Sequence, residues 1–151
     1  MTKLMPWRTE WSIGIATVDD DHRALIESLM DICLRFCPES RSGVEGQGDG
    51  GALLAALDAL GERVRSHFQR EEAFMRAIGY ERLGEHVREH AVLMAELKEM
   101  LQGWREQDLQ VFDESIYESM RRWLLEHILG ADRAFAEAYF RICGIEPESA
   151  T

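Results

Sequence analysis

The sequence predicts an all-α fold: an antiparallel up-and-down four-helix bundle with a short C-terminal helical piece. Three observations carry this. Apolar residues recur every three or four positions through most of the chain, and strand-like alternation is nearly absent. The three prolines, Pro6, Pro38 and Pro147, lie near the ends or in a polar linker, never inside a periodic segment. Four amphipathic segments of roughly 20 residues or more, three of them joined by short links, pack best as such a bundle. The 151 residues suit a single domain spanning 1–151, with an N-terminal arm over 1–17 and a flexible loop over 38–51 between the first two helices.

The first helix is expected to start at Asp19 or Asp20, either of which can cap it, and to end at Phe36–Cys37 before Pro38. Its stripe is His22, Leu25, Ile26, Leu29, Cys33 and Phe36. The loop that follows holds five of the twelve glycines and almost nothing apolar. The second helix runs from about Ala52 to Ile78 and stops at Gly79, a residue suited to the left-handed position after a helix. Leu53, Leu57, Leu60, Val64, His67, Phe68, Glu71, Met75 and Ile78 share its face. The third covers about Arg82 to Trp104, with Leu83, His86, Val87, His90, Leu93, Met94, Leu97 and Leu101 on one side. The fourth begins between Asp108 and Asp113 and carries Ile116, Met120, Trp123, Leu124, His127 and Ile128. A last piece, about Ala131 to Ile142, ends at Gly144.

Charge narrows the function. Lys plus Arg is 17 against 28 for Asp plus Glu, a net charge of −11, which repels phosphate backbones and anionic membranes. Neither a nucleic acid nor a membrane is expected as partner. No apolar stretch approaches the ~20 residues needed to cross a bilayer, and Met1 to Arg8 contains no apolar core of a signal peptide. Three cysteines without a CxxC argue for a reducing, cytoplasmic setting. Cys33 and Cys37 read as small buried hydrophobes, Cys143 as exposed.

All five histidines of the chain fall on the apolar stripes. A bundle core of Leu, Ile, Met and Phe has no donors to satisfy them, and each unpartnered imidazole costs a few kcal/mol. His67 and Glu71 are four apart, as are His86 and His90, so each pair shares one helix face. A metal satisfies the whole set at once. Imidazole nitrogens with a minority of carboxylates suit iron, zinc, copper or nickel, and disfavour calcium and magnesium. With Asp132 the set has seven ligands, too many for one ion. Two six-coordinate ions sharing two bridging carboxylates and a bridging oxygen account for them, with three histidines on one ion and two on the other. One ion is then a ligand short, and a small molecule can bind there. His127 and Asp132, five apart, lie about 140° from each other on a regular helix. Either a π-type turn or a break at Gly130 is therefore expected between them.

The pattern resembles the hemerythrin family, in its single-domain bacterial form. The matching pieces are Trp11-Ser-Ile-Gly leading to Val18-Asp-Asp-Asp-His22, then His67-Phe-Gln-Arg-Glu71, His86-Val-Arg-Glu-His90, and Trp123-Leu-Leu-Glu-His127-Ile-Leu-Gly-Ala-Asp132, over about residues 7 to 140. The resemblance implies that His86, His90 and His127 hold one iron, and that His22 and His67 hold the other, which keeps the open position. It implies that Glu71 and Asp132 bridge the two non-heme iron ions (Fe2+/Fe3+) together with an oxo or hydroxo group. Dioxygen is the implied ligand, bound reversibly as hydroperoxide, and no catalytic residue is implied. Leu25, Phe68, Trp123 and Leu129, each one to four positions from a ligand, are the expected wall of the oxygen pocket. An oxygen-consuming enzyme is the kind of recipient such a carrier serves.

Two positions depart from the family habit: Asp21 stands where Gln often precedes the first ligand histidine, and Met30 where Asn often follows it. Both bear on the surroundings of the ligands, not on the ligand set. Glu72 is expected to be a solvated surface charge. A ferritin-like oxidase needs two ExxH motifs, and no Glu here lies three residues before a His. The alternatives on the same scaffold are an oxygen or redox sensor, of a kind usually fused to a signalling domain that is not seen before Thr151, and a di-iron enzyme reducing peroxide or nitric oxide.

Overall fold

A computed structural model describes residues 7–37 and 50–146, and within them the chain is built from helices. A short 3-10 turn, Thr9–Trp11, precedes α1 (Ala16–Phe36), α2 (Gly50–Ile78), α3 (Leu83–Glu106), α4 (Glu114–His127) and α5 (Arg133–Cys143). Helix α1 packs against α2 and α4, and α2 against α3. The four-helix bundle expected from the periodicity is the one observed.

Several boundaries differ from the sequence expectation, each for a local reason. Helix α1 begins at Ala16, before Asp19, and its N-cap, Ile15, offers no side chain to cap it. Asp19 reaches backward instead. Its carboxylate accepts hydrogen bonds from the Ser12 hydroxyl and, at 2.8 Å, from the Ile13 N–H. That contact, with a bond from Arg133 to the Glu10 carbonyl at 2.7 Å, docks the end of the arm on the bundle, where Trp11, Ile13 and Ile15 enter the core. The loop expected over 38–51 lies outside the described residues except for Gly50 and Gly51, which are already helical in α2.

The remaining ends follow sequence signals. Gly79 and Gly144 adopt φ of +69° and +63° after α2 and α5, where a β-carbon would be strained. Asp113 caps α4 by accepting the Ile116 N–H at 2.9 Å. The loop before it is pinned to the end of α1 by the Phe112 N–H on the Phe36 carbonyl, at 2.9 Å. The expected short C-terminal piece is α5, which the five residues Ile128–Asp132 join to α4 through a π-helical turn.

The core runs the length of the bundle. Ile26, Leu29, Leu53, Leu57, Leu97 and Tyr117 are essentially inaccessible on one side of the histidines, and Met75 and Phe135 on the other. Burial of each such aliphatic or aromatic side chain contributes about 1.5–3 kcal/mol. The polar layer between them lies nearer the end of the bundle where α1 and α3 begin.

Candidate metal centre

Seven polar or charged side chains are buried among the described residues: His22, His67, Glu71, His86, His90, His127 and Asp132, none more than 4% exposed. They are the seven of the sequence pattern. His22 comes from early α1, His67 and Glu71 from late α2, His86 and His90 from early α3, and His127 from the end of α4. The i, i+4 spacing within α2 and α3 places both members of each pair on the inward face.

The carboxylate oxygens sort the histidines into two groups. Glu71 Oε1 lies 3.2, 3.0 and 3.7 Å from the Nε2 atoms of His86, His90 and His127. Its other oxygen, Oε2, lies 3.4 Å from His22 Nε2 and 2.9 Å from His67 Nε2. Asp132 divides in the same sense: Oδ1 is 2.9 Å from both His86 and His127 Nε2, and Oδ2 is 3.0 Å from His22 Nε2. Two overlapping clusters result, one of Glu71, Asp132 and three histidines, the other of Glu71, Asp132 and two.

Without metal these atoms have only one another. His22 Nε2, His67 Nε2, Glu71 Oε2 and Asp132 Oδ2 are buried at 2.9–3.4 Å from each other, with no partner beyond the cluster among the described residues, and the Nε2 atoms of His90 and His127 face each other at 3.2 Å. Neighbouring rings meet edge to face, His22 with His67 at 72° and His86 with His90 at 83°. Lone pairs are thus aimed at shared points. Gathering so many polar atoms inside an apolar bundle is costly, and the donor set fits cations of borderline softness such as iron.

Without metal, the charges are held by protons. Burial disfavours protonated His22, but hydrogen bonds to Asp132 and Glu71 and the charges of both outweigh it, and its pKa is raised to about 9. His86 is raised to about 9 for the same reasons. His127 is raised to about 10, against burial, by the charge and hydrogen bonds of Asp132 and Glu71. Burial works against ionised Glu71 too, yet its histidine hydrogen bonds hold it well below the ordinary carboxylate value.

The π turn brings Asp132 into the site. The Arg133 N–H reaches the Ile128 carbonyl, five residues back, which widens the helix so that residues 127 and 132 come nearly into line. Of the two expected devices, the π turn is the one present. Gly130 is not a break: its φ is not positive, and a β-carbon there would meet nothing within 4 Å. Gly130→Ala is therefore expected to leave metal content unchanged and to raise stability by up to about 1 kcal/mol, as measured by metal analysis and thermal melting. Loss of metal in this variant would show that the turn depends on glycine.

The outward nitrogens reveal contacts that the sequence reading missed. Glu72 is not a solvated charge: its Oε2 lies 2.6 Å from His90 Nδ1 and its side chain is only 21% exposed. The turn of about 100° that separates it from Glu71 faces it toward α3. Asp21 Oδ2 lies 3.2 Å from His67 Nδ1 and accepts Arg70 Nε at 2.9 Å. Glu89 approaches His127 Nδ1 at 3.6 Å. Each contact joins two helices, so no spacing along one helix announces it.

The residues expected to wall a pocket are placed as follows. Phe68 is buried and stacks flat on His90, with ring centroids 3.9 Å apart, meets the edge of His127 and lies tilted at 47° to His67. Leu25 is buried on α1. Trp123 and Leu129 are half-buried, and the Trp123 indole N–H donates to Glu96 across the α3–α4 seam at 3.2 Å. A surface cleft of about 380 Å³ reaches His86 between Tyr80, Arg82, Glu85, Glu89 and the π-turn residues Gly130 and Ala131.

Residues 13–139 match the family model of the hemerythrin HHE cation binding domain. The chain is 29% identical over 134 residues to a bacteriohemerythrin of Stenotrophomonas maltophilia, covering 89% of this chain and 80% of that protein. It is 25% identical to a bacteriohemerythrin of Methylococcus capsulatus, over 87% of this chain and 94% of the relative. A myohemerythrin of Theromyzon tessulatum is 23% identical, over 83% and 86%. A crystal structure of wild-type hemerythrin superposes with a TM-score of 0.70 at 22% identity, covering 89% of this chain and 97% of the other, which is agreement in fold.

Proposed function

We propose that this chain, which belongs to the hemerythrin family, binds dioxygen reversibly at two non-heme iron ions, as a carrier or store and not as an enzyme. The observation that carries this reading is the division of the Glu71 and Asp132 oxygens between a group of three histidines and a group of two. In this reading His86, His90 and His127 hold one iron, and His22 and His67 hold the other. Glu71 and Asp132, whose oxygens face both groups, would be shared between the two ions. The group of two histidines offers one protein ligand fewer than the group of three, and dioxygen would be taken up on that side. An iron pair held there would supply the reversible two-electron chemistry that dioxygen binding needs. The protein's part is to fix the ligands and keep water out. Leu25, Phe68, Trp123 and Leu129 form the apolar wall. No helix among the described residues is long and apolar enough to cross a membrane. The setting proposed is the reducing cytoplasm, with an oxygen-consuming enzyme as recipient.

The test is an anaerobic ferrous sample exposed to air and then to vacuum, followed by visible absorption. A carrier shows a band that appears and disappears over repeated cycles. Passage straight to the diferric state, without a reversible band, would instead indicate a sensor or an enzyme. The wall has its own test: Leu129→Ala or Trp123→Ala is expected to leave iron content nearly unchanged and to speed autoxidation severalfold. Loss of iron in either variant would mean that the side chain props the ligands and does not wall a pocket.

A further inference from the structure

In each half of the centre one histidine is tied from behind by a carboxylate borne on a different helix. His90, on α3, has Glu72 of α2 at 2.6 Å from its Nδ1. His67, on α2, has Asp21 of α1 at 3.2 Å from its Nδ1. The other three histidines are held differently. Glu89 stands 3.6 Å from His127 Nδ1, too far for a direct hydrogen bond, and His22 Nδ1 has no hydrogen-bond partner. His86 has its contacts through Nε2, to Glu71 and Asp132.

A neutral imidazole that offers Nε2 to a metal carries its proton on Nδ1. A carboxylate accepting that proton's hydrogen bond fixes the tautomer and the ring angle together. The two acceptors are themselves held in different ways. Arg70 Nε donates to the same Asp21 oxygen that faces His67, at 2.9 Å, and so fixes the carboxylate's position. Glu72 pairs with no lysine or arginine among the described residues, but its side chain is wedged half-buried between α2 and α3.

We propose that Glu72 and the Asp21–Arg70 pair are positioning residues, one for each half of the centre. They lock His90 and His67 with Nδ1–H outward and Nε2 inward. This rests on the two-iron reading above. It also gives Asp21, the departure from the family habit, a definite role, because its carboxylate accepts from His67 and from Arg70 at once.

The experiment compares the wild type with Glu72→Leu, Asp21→Leu, Arg70→Leu and, as a control for loss of an exposed carboxylate elsewhere on α3, Glu99→Leu. Ferrous-loaded protein is mixed with an excess of iron chelator and the rate of iron loss is followed. In parallel, zinc-loaded protein is examined by proton NMR for the slowly exchanging imidazole N–H resonances. Glu72→Leu and Asp21→Leu are expected to lose iron about 10- to 100-fold faster, each losing the N–H resonance of its own histidine. Arg70→Leu should give a smaller acceleration, and Glu99→Leu none. Glu72→Gln, which keeps an acceptor, should recover most of the slow release.

If a leucine variant does not fold, Glu72→Gln and Asp21→Asn decide the matter. Their N–H resonances must move, and unmoved resonances overturn the proposal. Wild-type release rates and resonances in both leucine variants overturn it as well. A wild type that holds fewer than two irons per chain would overturn the two-iron reading together with this inference. Two firmly held irons with unaffected histidines would overturn this inference alone.

Discussion

If the centre holds two irons, as proposed, Glu71→Gln is expected to strip both, leaving nearly none. His22→Ala, by contrast, should weaken chiefly the two-histidine side. The difference follows from geometry. One Glu71 oxygen faces His86, His90 and His127, and the other faces His22 and His67. An amide keeps the volume but carries no charge, so it cannot join two cations as an anionic bridge. In the metal-free protein the same change leaves buried, protonated histidines short of a counter-charge, which costs about 3–5 kcal/mol. Metal analysis and thermal melting of the metal-free form check both parts. Retention of one full iron per chain by the glutamine variant would show that Glu71 belongs to one ion only.

The second large effect is in pH. His22, His86 and His127 have pKa values of about 9, 9 and 10 in the metal-free fold, above the ordinary 6.5. A raised pKa stabilises the fold fully below about pH 6.5, and that contribution is lost as pH climbs through 9 to 10. Glu71 and Asp132 are shifted down from 4.5 and 3.8, so their contribution is present above those values and is lost as pH falls below them. The metal-free chain should therefore be most stable between about pH 5 and 7, with a melting temperature that drops steadily toward pH 10. The metal-loaded chain, whose histidines are neutral ligands, should show little of that alkaline loss. For the same reason loading at pH 7 should release about three protons, one from each raised histidine. Calorimetry in buffers of different ionisation enthalpy measures that number directly. No proton release at pH 7, with no alkaline loss of stability, would mean that the carboxylates do not hold these imidazoles protonated.

The helices and six of the seven inward residues, the five histidines and Glu71, were legible in the sequence because both follow periodicity along one chain segment. A spacing of three and four puts Leu53, Leu57 and Leu60 on the same face as His67 and Glu71, and nothing in that inference needs a neighbouring helix. The π turn was legible for a related reason: five residues from His127 to Asp132 do not close on a regular helix, so the conflict pointed to its own solution. What distinguished the π turn from a break at Gly130 was the backbone bonding around Arg133, which spacing does not encode.

The errors share a cause. Asp19 has the right chemistry for a cap, but the arm before it folds back and takes its carboxylate. Glu72 looked like surface because its position was judged on α2 alone, whereas its partner, His90, stands on α3. Asp21 with His67 and Glu89 with His127 are cross-helix contacts of the same kind. Such pairs depend on the angle and register between helices, and a single sequence fixes neither.

A shared two-iron centre is tested most plainly by an anomalous difference map at the iron edge, from crystals of the fully loaded protein. Two peaks per chain are expected. One should lie among the Nε2 atoms of His86, His90 and His127, the other between those of His22 and His67, with Glu71 and Asp132 each contacting both. A single peak, or two peaks that do not share these carboxylates, would contradict it.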